Sequence, residues 1–268
     1  MGSRAPFLSH VWVNRHLLAM MVKRAVSSRY KNSFIGVAWL VINPLIKLSI
    51  YTLVFHQILN VKWGAQEQTG PQFALYIYIG MIAFNVFSES MLAAPHVIVA
   101  HRNMIKKIDF PIEILPWVHF CTAVCDALIG FGIWLLAYLV INGMPYVTVL
   151  LLPLVFLPFL LITMGLNWMI SASSVFIKDV NQMVQFGVAA LLFISPIFYP
   201  LSAVPGFLHS VMLLNPLSFE IEMLRAILLD GAIPSIRYYL AYLAVGITLY
   251  YLGYRSYKSV QDEFADVL

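Results

Sequence analysis

VTVLLLPLVFLPFLLITMGLNWMISASSVFI, residues 147–177, runs for 31 positions without one Asp, Glu, Lys, Arg or His. About 20 apolar residues in a helix cross the hydrocarbon core of a bilayer, so this stretch spans a membrane with length to spare. Working outward, the segments 33–59, 73–99, 114–141, 183–201 and 236–254 read the same way, which gives six crossings. The 268-residue chain is 61% hydrophobic and 10% charged. Soluble domains run about 45–50% apolar and about 25% charged, so a water-soluble globule is excluded. With no repeat, linker or low-complexity tract, residues 1–268 form one all-α polytopic membrane domain.

The charges encode its orientation. Residues 1–31 hold six basic side chains and no acid. Placing that end in the cytoplasm puts twelve of the sixteen Lys and Arg inside, against Lys62, Arg225 and Arg237 outside and Lys47 within the first span. Both termini are therefore expected to be cytoplasmic. Residues 10–30 fit a helix on the inner membrane surface, with Val11, Leu18, Met21, Val22 and Ala25 on one face. The basic charges are accounted for by topology, and a nucleic-acid partner would have no soluble basic face to bind.

Catalytic machinery is absent from the sequence. It has no GxxxxGK[ST] phosphate loop, no HExxH and no GxSxG. Cys121 and Cys125, spaced i, i+4, act as small hydrophobes rather than a disulfide pair. His119 and Cys121 point to opposite sides of a helix, which argues against a shared metal. The ionisable residues within spans are Lys47, Glu89, His96, His119 and Asp126. Burying them is costly, so they mark a water-filled cavity, an interhelical hydrogen bond or an ion path. Asn43–Pro44 and Ser195–Pro196 each remove a backbone hydrogen bond inside a span, which is tolerated where the freed groups face a cavity or other protein. Tyr51 and Phe55, Phe84 and Phe87, and Phe193, Phe198 and Tyr199 lie mid-span or beside these breaks. Aromatic faces there would stack on the apolar faces of sugar rings, and ordinary packing is the competing reading for each one.

Six segments in order resemble the membrane subunit of type-2 ABC exporters, specifically the polysaccharide-exporting branch (O-antigen permeases of the Wzm type). RYKNSFIGVAWLVINPL (29–45) is similar to the family's entrance segment, and NMIKKIDFPIEILP (103–116) to its first cytoplasmic loop. FIKDVNQ (176–182) matches an F-RD pattern with Lys178 in place of arginine, a change that keeps the charge and loses the bidentate fork. SPIFYP (195–200), LNPLS (214–218) and the terminal EFADVL complete the set.

The resemblance implies a homodimer of six-span subunits in the bacterial inner membrane. It also implies two separate ABC ATPase subunits that bind ATP and magnesium, with no cofactor in this chain. Docking on the ATPase is implied for Asn103, Met104, Ile105, Lys106, Lys107 and Asp109, beside the N-terminal interface helix. A channel between the two copies would carry a polysaccharide linked to undecaprenyl diphosphate. Aromatics would line it, and short outer gate helices between spans five and six would close it. Arg24, Arg29 and Lys31 would receive the lipid diphosphate, although topology alone also explains those charges. Within the family the alternatives are capsule or teichoic-acid export. Outside it they are a secondary transporter, opposed by the sparse intramembrane charge, and a membrane glycosyltransferase, opposed by the lack of clustered interfacial acids.

Overall fold

The computed structural model describes residues 13–30, 36–61, 63, 69–102 and 110–267, and among these there is no strand. Ten α-helices follow one another: α1 (Arg15–Tyr30), α2 (Trp39–Tyr51), α3 (Gly70–Ala100), α4 (Ile114–Ile141), α5 (Leu152–Phe176), α6 (Val180–Ile194), α7 (Gly206–Leu213), α8 (Pro216–Leu228), α9 (Ile236–Val260) and α10 (Phe264–Val267). Seven residues of π-helix, Thr52–Ile58, prolong α2, and a 3-10 turn, Val147–Leu151, leads into α5.

Four of these stretches are long and apolar enough to cross a membrane: Val41–Ile58, Gly70–Ala100, Ile114–Ile141 and Val147–Phe176. Two of the six expected spans stand apart for physical reasons. α6 has only 15 residues because it stops at Ser195, before Pro196. α9 has 25 residues, about 37 Å at 1.5 Å per residue, but carries Arg237, Arg255, Lys258 and seven tyrosines.

Local sequence explains the helix starts. The Thr69 N–H donates to Gln72 Oε1 at 3.1 Å and Pro71 occupies the first turn of α3, so the end is capped from both directions. Pro153 plays the same part in α5. Pro44, Pro95 and Pro158 sit inside α2, α3 and α5 without ending them. For Pro44 the reason is a polar cavity alongside, described below.

α3 is the central helix, with Phe73, Ile77, Ile79, Ala83, Ala94 and Ile98 all fully buried. Beside it α5 and α9 run parallel and touch backbone to backbone. The Tyr239 hydroxyl donates to the Leu154 carbonyl at 3.0 Å near one end, and Phe176 meets Phe264 at the other. Between them, a Cβ on Gly165 would strike the Leu249 carbonyl, and one on Gly253 would strike the carbonyl of Gly165. A Cβ on Gly246 would lie 2.8 Å from the Pro158 oxygen. Small residues that admit this approach substitute for the hydrophobic drive that lipid does not supply.

By contrast, α2 and its π-helical extension bury no residue along Val41–Ile58, and α6 buries only Val188. Val41, Leu45, Ile46, Ile50 and Leu53 on α2, and Met183, Phe186 and Phe193 on α6, are exposed apolar side chains. α1 lies against α4, and its half-buried residues Leu17, Leu18, Met21, Val22, Ala25 and Val26 form one stripe. That stripe contains the expected apolar face from Leu18 onward; Val11 lies outside the described residues.

Candidate functional site

The break at Ser195–Pro196 ends α6 and leaves carbonyls with no helical donor. Arg225, from the last turn of α8 and only 3% exposed, supplies the donors. Its Nη1 donates to the Pro196 oxygen at 2.6 Å and its Nη2 to the Ile197 oxygen at 3.0 Å. Nε and Nη2 reach the Tyr76 oxygen on α3 at 3.3 and 3.2 Å. Glu222 Oε1 lies 3.0 Å from Nη1, and the guanidinium carbon sits 4.8 Å from the Trp63 ring centroid. One planar fork thus holds the start of α3, the end of α6 and α8 together, a task suited to arginine geometry.

The rest of α8 is fixed by the residues at its start. Asn215 caps it by accepting from the Leu217 N–H at 3.0 Å, while its amide donates to Ser195 Oγ at 2.9 Å. The Tyr242 hydroxyl of α9 donates to the Pro216 oxygen at 2.9 Å, and Thr148 Oγ1 donates to the Ile227 oxygen at 2.5 Å. SPIFYP and LNPLS, twenty residues apart, are therefore one structural unit. α8 also carries Glu220, fully buried, with neither carboxylate oxygen hydrogen-bonded. Burial pushes its carboxyl well above the usual carboxylate range.

The aromatic residues expected at the channel divide into three groups. Phe198, just past the break, stacks on Phe55 at 4.5 Å with the rings 3° from parallel, and meets Tyr51 at 4.9 Å. Phe193 and Tyr199 line a 450 Å³ apolar cavity between the end of α6 and α7, where the Tyr199 hydroxyl donates to the Phe193 carbonyl. Phe84 and Phe87 lie inside the subunit, 8% and 6% exposed, with Phe87 against Phe159 of α5.

Deeper in the bundle, a 380 Å³ cavity opens between α2, α3 and α4. It collects Lys47, Glu89 and Asp126, three of the five ionisable residues read within spans, together with Asn43, Pro44 and Asn85. His96 is exposed elsewhere on α3, and His119 faces α1. No cluster of three or more His, Cys, Asp or Glu placed to hold a metal occurs among the described residues. The arrangement is a polar pocket at the proline of α2, where the exposed Lys47 and the half-buried Glu89 and Asp126 share one space with the backbone that Pro44 frees.

Asn103, Met104, Ile105, Lys106, Lys107 and Asp109 lie outside the described residues. The chain just after them is pinned: the Tyr257 hydroxyl donates to the Ile112 oxygen at 3.1 Å, and Lys258 pairs with Glu113 at 2.6 Å. Arg24 is exposed on α1, Arg29 falls in its last turn, and Lys31 lies outside the described residues. Lys178 and Asp179 are exposed and form no ion pair with each other.

Arg225 and Asn215 were not visible as site residues in the sequence, where Arg225 counts only as an outer charge. The available signal was the break itself, because a span interrupted at Pro196 requires donors from elsewhere in the protein.

This architecture has relatives. The sequence profile of the ABC-2 type transporter family matches residues 16–229. The chain belongs to the ABC-2 type transporter family. An O-antigen export system permease protein RfbA from Myxococcus xanthus is 27% identical over 254 residues, covering 94% of this chain and 95% of the relative. Two proteins of the same description from Klebsiella pneumoniae are 23% and 24% identical over the same shares. An ABC-2 membrane chain is a transport subunit and not an enzyme, and its ATP is hydrolysed by a separate ABC ATPase subunit. Its several apolar helices accord with a multi-pass membrane protein.

Proposed function

We propose that this ABC-2 chain is the channel-forming permease of an exporter that carries O-antigen polysaccharide, linked to undecaprenyl diphosphate, across the bacterial inner membrane. Two copies and two ATPase subunits form the transporter, with ATP and magnesium held by the ATPase and no cofactor here. The observation that carries this reading is the aromatic stack of Tyr51, Phe55 and Phe198 beside the Arg225-bound break. Ring faces at a helix break give a sliding surface to sugars without the directional bonds that would trap them. The relatives, O-antigen export permeases matched over nearly their full length, support the same polymer.

The subunit crosses six times: the four apolar stretches, α6 with its continuation through Tyr199, and α9. The parallel contact of α9 with α5 over the length of both supports the sixth span. α7 and α8 act as outer gate helices, and α1 as the interface helix, with both termini cytoplasmic. The unburied faces of α2 and α6 suit a second copy, which would close the channel. Asn103 to Asp109 meets the ATPase, and Arg24, Arg29 and Lys31 receive the lipid diphosphate.

Deleting the gene and fractionating lipid-linked glycans and surface polymer tests the proposal. Loss of a surface O-antigen with its lipid-linked form accumulating inside is the expected result. Loss of a capsule or teichoic-acid polymer instead would change the substrate. An unchanged surface with no accumulated intermediate would overturn export.

A further inference from the structure

α1 rests on α4 with a groove along each side. One, of 820 Å³, has an apolar floor of Leu17, Met20, Met21 and Val118. Its rim carries Lys23, Arg24 and His101. The other, of 510 Å³, runs along Leu18, Val22, Cys121 and Cys125 and is rimmed by Arg15 and Lys23. Among the described residues no carboxylate lines either groove. Lys23 and Arg24 are exposed and have no acidic partner among the described residues. His101 donates Nδ1–H to the Val97 carbonyl at 2.9 Å, which fixes the ring and leaves Nε2 for a second contact.

We propose that the larger groove is a binding site for one acidic glycerophospholipid, its phosphate on Lys23 and Arg24 and an acyl chain along Leu17, Met20, Met21 and Val118. Charge complementarity selects this occupant. A rim carrying Lys23 and Arg24 above an apolar floor matches an anionic head joined to a hydrocarbon tail, whereas a free anion would leave the floor empty and a neutral lipid would leave the two cations unanswered. The volume falls within the range of about 300–1,000 Å³ common to small-molecule sites. The site belongs to α1 and α4, while the aromatic faces of the export reading belong to α2 and α6. The two readings share Arg24, which the export reading gives to the lipid diphosphate, whereas Lys23 and the apolar floor belong to this site alone. A lipid held here fastens α1 to α4, and the 103–109 segment begins two residues past His101.

The test is native mass spectrometry of the permease–ATPase complex in detergent, titrated with dioleoyl-phosphatidylglycerol or dioleoyl-phosphatidylcholine. The expected result is a saturable phosphatidylglycerol adduct that K23Q/R24Q weakens roughly 30-fold, at about 1 kcal/mol per basic residue, with phosphatidylcholine binding unchanged. V118W, which fills the floor and spares the rim, should also lose the adduct. Equal binding of both lipids would overturn the proposal, as would a phosphatidylglycerol adduct that survives both variants. Displacement by inorganic phosphate would replace it with a free-anion site, and preferential capture of a polyprenyl diphosphate would move the groove to the substrate path. Export is read separately in the same variants, so failure of the lipid site leaves the export proposal to its own test.

Discussion

Replacing Arg225 with methionine tests the assembly of α3, α6 and α8 most directly. The change removes donors from three buried carbonyls, those of Tyr76, Pro196 and Ile197. Each orphaned acceptor costs about 1–3 kcal/mol, for a gross loss of roughly 3–9 kcal/mol. Burying the methionine side chain in place of a desolvated cation returns about 2–3 kcal/mol. Taking like ends of the two ranges, the net expectation is roughly 1–6 kcal/mol, or a fall of roughly 2–24 °C in unfolding temperature for a chain of this size. Lysine cannot reproduce the fork, since one ammonium reaches one or two of the carbonyls, so R225K should fall between parent and methionine. Thermal unfolding of the purified permease in detergent reads the loss. Tryptophan emission adds a local signal, because Trp63 loses the cation on its ring. An R225M protein that melts within about 1 °C of the parent would refute the reasoning, because orphaned carbonyls of that cost cannot be silent.

Three further outcomes follow from the same geometry. Gly165→Ala and Gly253→Ala should each cost at least about 1–3 kcal/mol by forcing α5 and α9 apart, while Gly187→Ala, with open space at its Cβ, should be neutral; equal melting temperatures for all three would contradict the backbone contact. Glu220 has its folded pKa raised by burial, so the stability it confers is complete below the unfolded value of about 4.3 and is lost as pH rises toward the raised folded value. Glu220→Gln should therefore raise the melting temperature at neutral pH and flatten its pH dependence, with Tyr239 and Tyr242 as the neighbouring titratable groups; a parent whose stability rises with pH over that range would sink the assignment. Phe198→Ala should free Phe55 and Tyr51 from their stack and make reconstituted vesicles leak a small polar dye, and vesicles as tight as the parent's would argue that these rings do not seal the outer side.

Much of the fold was legible because apolar length is a one-dimensional property. The expected 114–141 is α4 residue for residue, and 73–99 and 147–177 differ from their helices by a few positions at the ends. The short helices after α6 were expected from the family resemblance, and the break at Pro196 was legible from the sequence itself. Pro44 was legible as a lost hydrogen bond inside a span, and α2 continues through it. What could not be read is what closes across the sequence. Arg225 meets Tyr76 from 149 positions away, and Asn215 meets Ser195 from 20. Among the candidate site residues, Tyr51, Phe55 and Phe198 came together, while Phe84 and Phe87 went to the interior. Spacings of four and of three residues each place a pair on one helix face, and neither says which face another helix will cover.

The glycine contacts between α5 and α9 bear on how such a molecule can move. Sliding those two helices past each other would drive main chain into main chain, so together with α3 they behave as a frame. α2 and α6 are held by few buried side chains, and displacing them separates little packed surface. The softest motion available is therefore a swing of α2 and α6 against a stationary frame. The place where that swing meets resistance is Arg225, the rivet between shutter and frame.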